Sequence, residues 1–563
     1  MFFSIARRIK MKNHLIISTV LIFSCATACS AQQKIYWGSE VPPNWNGAWP
    51  ENLLVPAEKS NFSRTATNQD ILDFFAALKW QSPHVHVFNA FTSDLHRNCP
   101  VIVLASPRIT SARQAQNSGK TVVYLQGGIH PAECEGKEAL LMLLRDILLG
   151  EKKYLLDNLI ILCCPNFNLD GNELLSVFND APDLAGSRQN ALGYDLNRDA
   201  VKLESTNMQG IMRSVFNTWD PTIILDTHQM ENARHGYAIG YAACTVPAAH
   251  PSPRGYVTDK IFPALQNQAR TNGQIEIHYH AGLDRSWPPR QFSHDASAWT
   301  TEAKFMASGY GLRNRMSILV ETPGHESYQK RIYAQYVFAR ELLEYCHQHG
   351  QEMQQVCRDA DADTVSQIRT QTESGALQYF TAGHYESYGP FDIYAYPKIQ
   401  TITLPGTSIQ RRSVGDAPPV LCSNVELLTK PVGDNPAAVP RGYLIPNEPE
   451  LEPIIQKLRL HNIRINTLTE PLTVSGEEYT YDTLTTRNRG GYPMTSLNGQ
   501  FKKSNKQFPA GTCQIDMAQP LAHLIFYCLE PQVPDGFLGW GLLNNYLNKT
   551  KTYPIYKYYQ IID

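Results

Sequence analysis

Gly127-Gly128-Ile129-His130-Pro131-Ala132-Glu133-Cys134-Glu135-Gly136-Lys137 decides the fold. The apolar run before it, Thr121-Val122-Val123-Tyr124-Leu125, reads as a buried strand. The run after it, Glu138 to Leu149, reads as a helix that Gly150 ends. A His and a Glu three residues apart therefore lie where a strand stops and a helix starts. In open α/β folds that crevice is where ligands bind. Imidazole and carboxylate both ligate zinc, and at this spacing they can converge on one ion. Read alone, the pair serves equally well as a polar loop with an acid at the positive end of a helix dipole.

Working outward, Leu159 to Cys164 reads as another buried strand, delivering the turn-rich Pro165 to Gly171. Thr222 to Asp226 is a strand ending at Thr227-His228, and Ser317 to Val320 is one ending at Glu321. Helical stretches, among them Gln209 to Trp219 and Ile261 to Thr271, separate them. This alternation predicts an α/β sheet with helices on both faces. It also places His130, His228 and Glu321 just past the carboxyl ends of strands, facing one crevice. Upstream, Asn68-Gln69-Asp70 caps an amphipathic helix over 71–78, and His84 to Phe88 and Pro100 to Ala105 are strands. His84 and His86 share one strand face, which suits packing or surface positions rather than ligation.

The 563 residues exceed one core, so several domains are expected. The composition, 43% hydrophobic and 18% charged, is that of a globular chain. A net charge of -2 without a basic tract excludes a nucleic-acid partner. Arg7, Arg8, Lys10 and Lys12 precede the apolar run Leu15 to Phe23 and the small residues Ala26 to Ala31. This predicts an export signal over 1–31, too short to span a bilayer, with Met11 an alternative start. A lipid-anchored Cys25 or Cys29 lacks a Leu three residues earlier. Ten of the twelve cysteines follow the signal, with no C-x-x-C pair. Residues 32–67, rich in Trp and Pro, read as an irregular strap. Residues 68–375 read as the catalytic domain, with a helix over Tyr333 to Gln348 near its end and another to about Ser374. Residues 376–563 read as a β-rich C-terminal module, with strands at Phe391 to Tyr396 and Thr401 to Leu404, a proline-rich Pro418 to Pro449 and a helix at Pro453 to Leu460.

Two His and one Glu make a catalytic zinc set that leaves a position open for water. The stretches Gly128 to Glu133, Gly193 to Asp199, Asp226-Thr227-His228 and Leu319 to Thr322 resemble, in order, the landmark motifs of the zinc carboxypeptidase (carboxypeptidase A-like) family. The resemblance covers roughly 68–349 and implies a mixed sheet flanked by helices. It implies Zn2+ bound by His130, Glu133 and His228, with Glu321 as general base. It implies that Arg188 stabilises the oxyanion, that Asn197 and Arg198 grip the substrate's terminal carboxylate, and that Asp195 orients the first zinc histidine. For the family's lid tyrosine, Tyr310 is the best candidate.

The chemistry of these residue types agrees. Zinc makes a nucleophile of water near neutral pH, a carboxylate takes the proton, and a guanidinium offsets the oxyanion's charge. A guanidinium fork also matches a planar carboxylate. Competing uses stand beside these: Arg188 can pair with Asp180 or Asp183, and Asp195 to Asp199 can cap a helix. Asp226 reads as an acid supporting either the site or the fold. Gln229 to Asn232, with Arg234 and His235 nearby, departs from the family pattern and can line a specificity pocket. His278, His280, Asp284 and Arg285 read as a surface loop. The expected protein is an exported zinc-dependent hydrolase acting on a peptide or peptide-like amide next to a free carboxylate, with no transmembrane span after signal removal. A peptidoglycan peptide amidohydrolase, an N-acyl amino acid deacylase and an inactive surface-binding protein are the alternatives.

Overall fold

A computed structural model of the chain describes residues 34–176, 184–230, 233–295, 299–373, 375–403, 410–415, 417–550 and 552–561. The expected export signal with Cys25 and Cys29, and also Asp180, Asp183, Glu231, Asn232 and Ser374, lie outside the described residues. Residues 35–563 form one compact unit. No helix among the described residues is long and apolar enough to cross a membrane.

An eight-stranded mixed sheet carries the site. Its strands are β1 (Val85–Thr92), β2 (Asn98–Leu104), β3 (Thr121–Gln126), β4 (Leu159–Cys164), β5 (Ile223–Met230), β6 (Ile239–Ala243), β7 (Ile277–Tyr279) and β8 (Met316–Pro323), in the order β1-β2-β4-β3-β5-β8-β6-β7. The central β4, β3, β5 and β8 run parallel, and β8 pairs antiparallel with β6. β3 and β4 are buried at every position, so they read as unbroken apolar runs rather than as alternation. β5 and β8 run on through His228 and Glu321 instead of stopping before them, and the two residues pair in register. Polar residues at a strand end still complete the ladder's hydrogen bonds, a continuation that an apolar pattern cannot mark.

The helices are α1 (Asn68–Gln81), α2 (Glu135–Leu149), α3 (Phe262–Gly273), α4 (Met306–Gly311), α5 (Tyr328–Gln371), α6 (Glu452–Leu460) and α7 (Ala522–Leu529). α1 starts at a Thr67 cap, whose hydroxyl accepts from Asp70 N while the Asp70 carboxylate accepts from Thr67 N. α5 is one unbroken helix of 44 residues where the sequence suggested two. Gly350, inside it, is a point of close approach: a Cβ there would lie 2.2 Å from Thr121 Oγ1 on β3. α2 is buried along nearly its whole length between the sheet, α5 and residues 45–66. Its charges are matched there, with Lys137 Nζ donating to Asn172 Oδ1 (2.6 Å) and Ala66 N donating to Glu138 Oε1 (2.6 Å). Arg145 of α2 pairs with Glu58 at 2.7 Å and lies over the Trp49 ring.

The region after α5 is strand-rich. β9 (Gln378–Ala395) pairs with β10 (Val420–Ala438), which also takes up the short strand Gln291–Ser293. The proline-rich 418–449 thus contains a 19-residue strand. Pro431 and Pro436 are tolerated because they lie beyond the three residues paired to the second neighbour, where one edge of β10 is unpaired. β11 (Leu472–Arg489) and β12 (Tyr492–Phe508) form a long hairpin in a six-stranded sheet. One core cluster combines Val201, Cys244, Val246, Ala303 and Leu312 with residues of this region as far as Ile555. The ten cysteines from Cys99 to Cys528 are buried free thiols; Cys99 and Cys164 lie 3.5 Å apart, sulfur to sulfur.

Candidate metal centre and active site

The β3–α2 turn is fixed by its glycines. Gly128 has φ +66, and a Cβ there would meet Asn166 Oδ1 at 2.6 Å. The turn is clasped to the loop after β4, with Phe167 N and Asn168 N donating to Gly127 O and Gly128 O. This clasp sets His130 over the strand ends. At the start of α2, Gly136 packs so close to β5 that a Cβ would lie 2.0 Å from Thr227 Oγ1. Glu133 and His228 are thereby drawn together.

The result is a triangle. Candidate ligand atoms of His130, Glu133 and His228 all lie within 4.8 Å of one another. His130 Nδ1 is 2.9 Å from Glu133 Oε1, and His228 Nδ1 is 2.9 Å from Glu133 Oε2. Each histidine's Nε2 faces an acid at 2.9 Å, Asp195 for His130 and Asp226 for His228. Those acids engage each ring's Nε2, which leaves both Nδ1 atoms aimed at Glu133 oxygens. Two imidazole nitrogens and a carboxylate converging on one point are the donor set of a cation that takes the place of a shared proton, and two His with one Glu fit zinc. Asp226 is fully buried and accepts a further bond from Gln126 Nε2 (3.1 Å).

Electrostatics follow from this packing. Burial pulls the His228 pKa down, but Asp226 and Glu133 outweigh it and hold the ring well above its usual value. Burial raises Glu133 and Asp195, yet His130 and, for Glu133, His228 bring both carboxyls far below their ordinary range. Arg188 adds to the hold on Asp195, with Nη2 donating to Asp195 Oδ2 (3.1 Å) and Nη1 to Glu133 Oε1 (3.1 Å). The Arg188 side chain stays 46% exposed. Glu321 stands apart. Its Oε2 is buried without a hydrogen-bond partner among the described residues, and burial pushes its pKa up to about 8, opposed by His228 and reinforced by Glu133.

Of the residues singled out in the sequence, His130, Glu133, His228, Asp195, Arg188 and Glu321 come together. Asn197 and Arg198 are adjacent, but only Arg198 remains available to the cleft. Asn197 is buried, its Oδ1 accepting from Met306 N (2.8 Å) and its Nδ2 facing His228 Nε2 at 3.4 Å. Arg198 is half-buried over the Phe305 ring, 4.6 Å from its centroid, and donates only Nη1, to Asn197 O, among the described residues.

Tyr310 does not belong to the site. It is buried against Phe216, and its hydroxyl donates to Pro221 O at the opposite end of β5. Pro221 lies seven positions before His228, about 20 Å along extended chain. His278 and His280 are buried rather than on a surface loop, His278 inside β7 and His280 directly after it, whereas Arg285 is exposed. Arg234 donates to the Asp284 main-chain oxygen. His86 stacks on Phe88, far from the triangle in sequence and in sheet order. Sequence reading missed Phe305, Met306 and Gln126, since nothing local marks a residue that matters through what it touches.

Residues 71–237 match the sequence model of the family described as zinc carboxypeptidase. Carboxypeptidase 2 of Trichophyton tonsurans is 24% identical over 494 residues, covering 83% of this chain and 81% of that protein. Carboxypeptidase 2 of Trichophyton equinum matches to the same extent. A metallo-carboxypeptidase from Burkholderia cenocepacia of known structure is 16% identical, with a TM-score of 0.37 over 50% of this chain and 69% of that one. The likeness to the zinc carboxypeptidase family thus spans residues 71–237 by the family model and most of the chain by these relatives.

Proposed function

We propose that this protein is an exported zinc-dependent carboxypeptidase that removes the C-terminal residue of a peptide. The observation that supports it most is Glu321, its Oε2 buried without a partner among the described residues, standing in register with His228 of the His130–Glu133–His228 triangle. His130 and His228 would hold zinc through Nδ1, and Glu133 through its carboxylate. When bound, zinc supplies Lewis acidity that polarises a carbonyl and acidifies water. Glu321 takes a proton from the attacking water as its oxygen bonds to the carbonyl carbon. The same carboxyl then gives that proton to the departing amine as the C–N bond breaks. Arg188 offers N–H donors as the carbonyl oxygen gains charge. The Arg198 fork matches the free carboxylate of the terminal residue. Export rests on the basic, apolar and small-residue succession over 1–31.

The test is metal content and peptide shortening by purified protein beside Glu321→Gln. Wild type should hold about one zinc, as a single three-ligand site predicts. It should release residues singly from the C-terminus of a peptide pool read by mass spectrometry. The variant should keep the metal and lose about 10²–10⁴-fold in kcat. Zinc-loaded wild type that leaves every peptide intact refutes the peptide substrate, and protein without zinc refutes the centre.

A further inference from the structure

The segment Glu302-Ala303-Lys304-Phe305-Met306 bridges two parts of the molecule. On one side it touches the site: the Phe305 ring underlies the Arg198 guanidinium, Met306 N holds Asn197 Oδ1, and Ala200 N donates to Lys304 O (3.3 Å). On the other side the C-terminal region grips it. Ala303 N donates to the Tyr527 hydroxyl (3.0 Å) and Lys304 N donates to Asp535 Oδ2 (2.9 Å). The Tyr527 hydroxyl in turn donates to Asp535 Oδ1. Tyr527 lies on α7, and both residues are buried. Arg489, at the end of β11, pairs with Glu302.

A second hold comes four residues past Arg198. Lys202 is buried with its ammonium over the rings of Trp540 (4.9 Å), Tyr492 (5.3 Å) and Tyr194 (5.5 Å). Tyr492 and Trp540 belong to the C-terminal region, and their rings meet edge to face. Among the described residues Arg198 itself makes a single hydrogen bond, to the main chain beside it, so the ring beneath it and the chain on either side bear on its direction. The Phe305 ring stacks on Trp299 (4.4 Å), and the chain around it is also gripped from the C-terminal region.

We infer that Tyr527 and Asp535 are positioning residues that aim Arg198 at the substrate's terminal carboxylate, so that the C-terminal region sets the anchor for substrate rather than binding a ligand of its own. This rests on the carboxypeptidase reading. The grip reaches Arg198 through Phe305, and so predicts an effect on substrate holding. The same segment meets Asn197 through Met306 N, and Asn197 Nδ2 faces His228 Nε2 at 3.4 Å, so zinc content is read beside KM.

The test compares wild type with Tyr527→Phe, Asp535→Ala and Arg489→Ala, each measured for zinc content, kcat and KM. Competitive inhibition is measured with the N-acetyl form of the residue wild type releases and with its C-terminal amide. In Tyr527→Phe and Asp535→Ala, KM and the inhibition constant of the free acid should rise about tenfold, the size of one hydrogen bond to a charged group. Zinc content, kcat and the inhibition constant of the amide should stay within about twofold. Should those buried variants fail to fold, Arg489→Ala, on a side chain 52% exposed, keeps the test open, with the same pattern at about two- to fivefold. Wild type that releases no C-terminal residue refutes the carboxypeptidase reading. Active wild type, with folded variants whose acid and amide constants shift equally or not at all, refutes the positioning role alone.

Discussion

Gly136→Ala tests whether the closeness of α2 and β5 assembles the metal centre. The new Cβ would sit 2.0 Å from Thr227 Oγ1 and 2.5 Å from Thr227 Cβ. Ordinary contacts begin near 3.4 Å, so the start of α2 must retreat by about 1 Å or more. Thr227 cannot turn aside freely, because its hydroxyl donates to Gln126 O (2.9 Å) in a buried setting. Glu133 lies three residues before Gly136 and meets His228 Nδ1 at 2.9 Å, so the retreat opens the triangle directly. Overpacking of this size costs about 1–3 kcal/mol, and a misplacement of about 1 Å in a site can cost on the order of 10²-fold in rate. Zinc competition against a chelator, thermal unfolding and peptide turnover should all show the loss. Gly136→Ala/Thr227→Gly should recover part of it, since removing the Thr227 side chain frees the space the new Cβ takes. Unchanged zinc affinity in Gly136→Ala would sink the argument, as would a double variant no better than the sum of its parts.

Three further outcomes follow from the site and its surroundings. Asp226→Ala should weaken zinc binding about 10–100-fold through loss of the acid on His228 Nε2; competition titration showing wild-type affinity would refute that role. Tyr310→Phe should cost about 1 kcal/mol of stability by leaving Pro221 O unmatched while peptide KM stays put, and a large rise in KM would return Tyr310 to the cleft. Asp535 is pushed up to about 7 from 3.8, by burial first and then by the charge of Glu302, with Lys304 and Tyr527 opposing. Between about pH 4 and 7 the folded state keeps a proton that the unfolded state releases, so stability falls as pH rises through that window. Asp535→Asn should flatten the fall in melting temperature over this range, and a wild-type-minus-variant difference constant with pH would refute it.

The parts of the site that reach across the sheet by strand succession were legible in the sequence. Leu159 to Cys164 was bounded correctly because an unbroken apolar run between turn residues has few other uses. His130, His228 and Glu321 were placed by the ends of such runs, and the crevice rule brought them together. The failures share a cause. Two helices were expected up to about Ser374, yet one runs to Gln371, with Gly350 packed on Thr121 some 230 residues earlier. Tyr310 had the right type and neighbourhood, but its hydroxyl was already engaged by Pro221. Asn197 is adjacent to Arg198 in sequence yet buried, because Met306 N requires an acceptor. Each outcome depends on a partner distant in the chain, and one sequence carries no periodicity that points to it.

The core shared between Val201, Cys244, Val246, Ala303 and Leu312 and residues as late as Ile555 also bears on synthesis. Every strand of the eight-stranded sheet has been made once Pro323 is in place, and α5 ends at Gln371. The residues that cover the far side of Val201 and Val246 come last. At ordinary elongation rates the interval from residue 371 to residue 555 lasts about 10–40 s. Throughout it the nascent chain carries a finished sheet with an uncovered apolar flank. A message truncated before the codon for Ile555 would leave that flank without its full cover, and the fragment would be a substrate for chaperones rather than a smaller working enzyme.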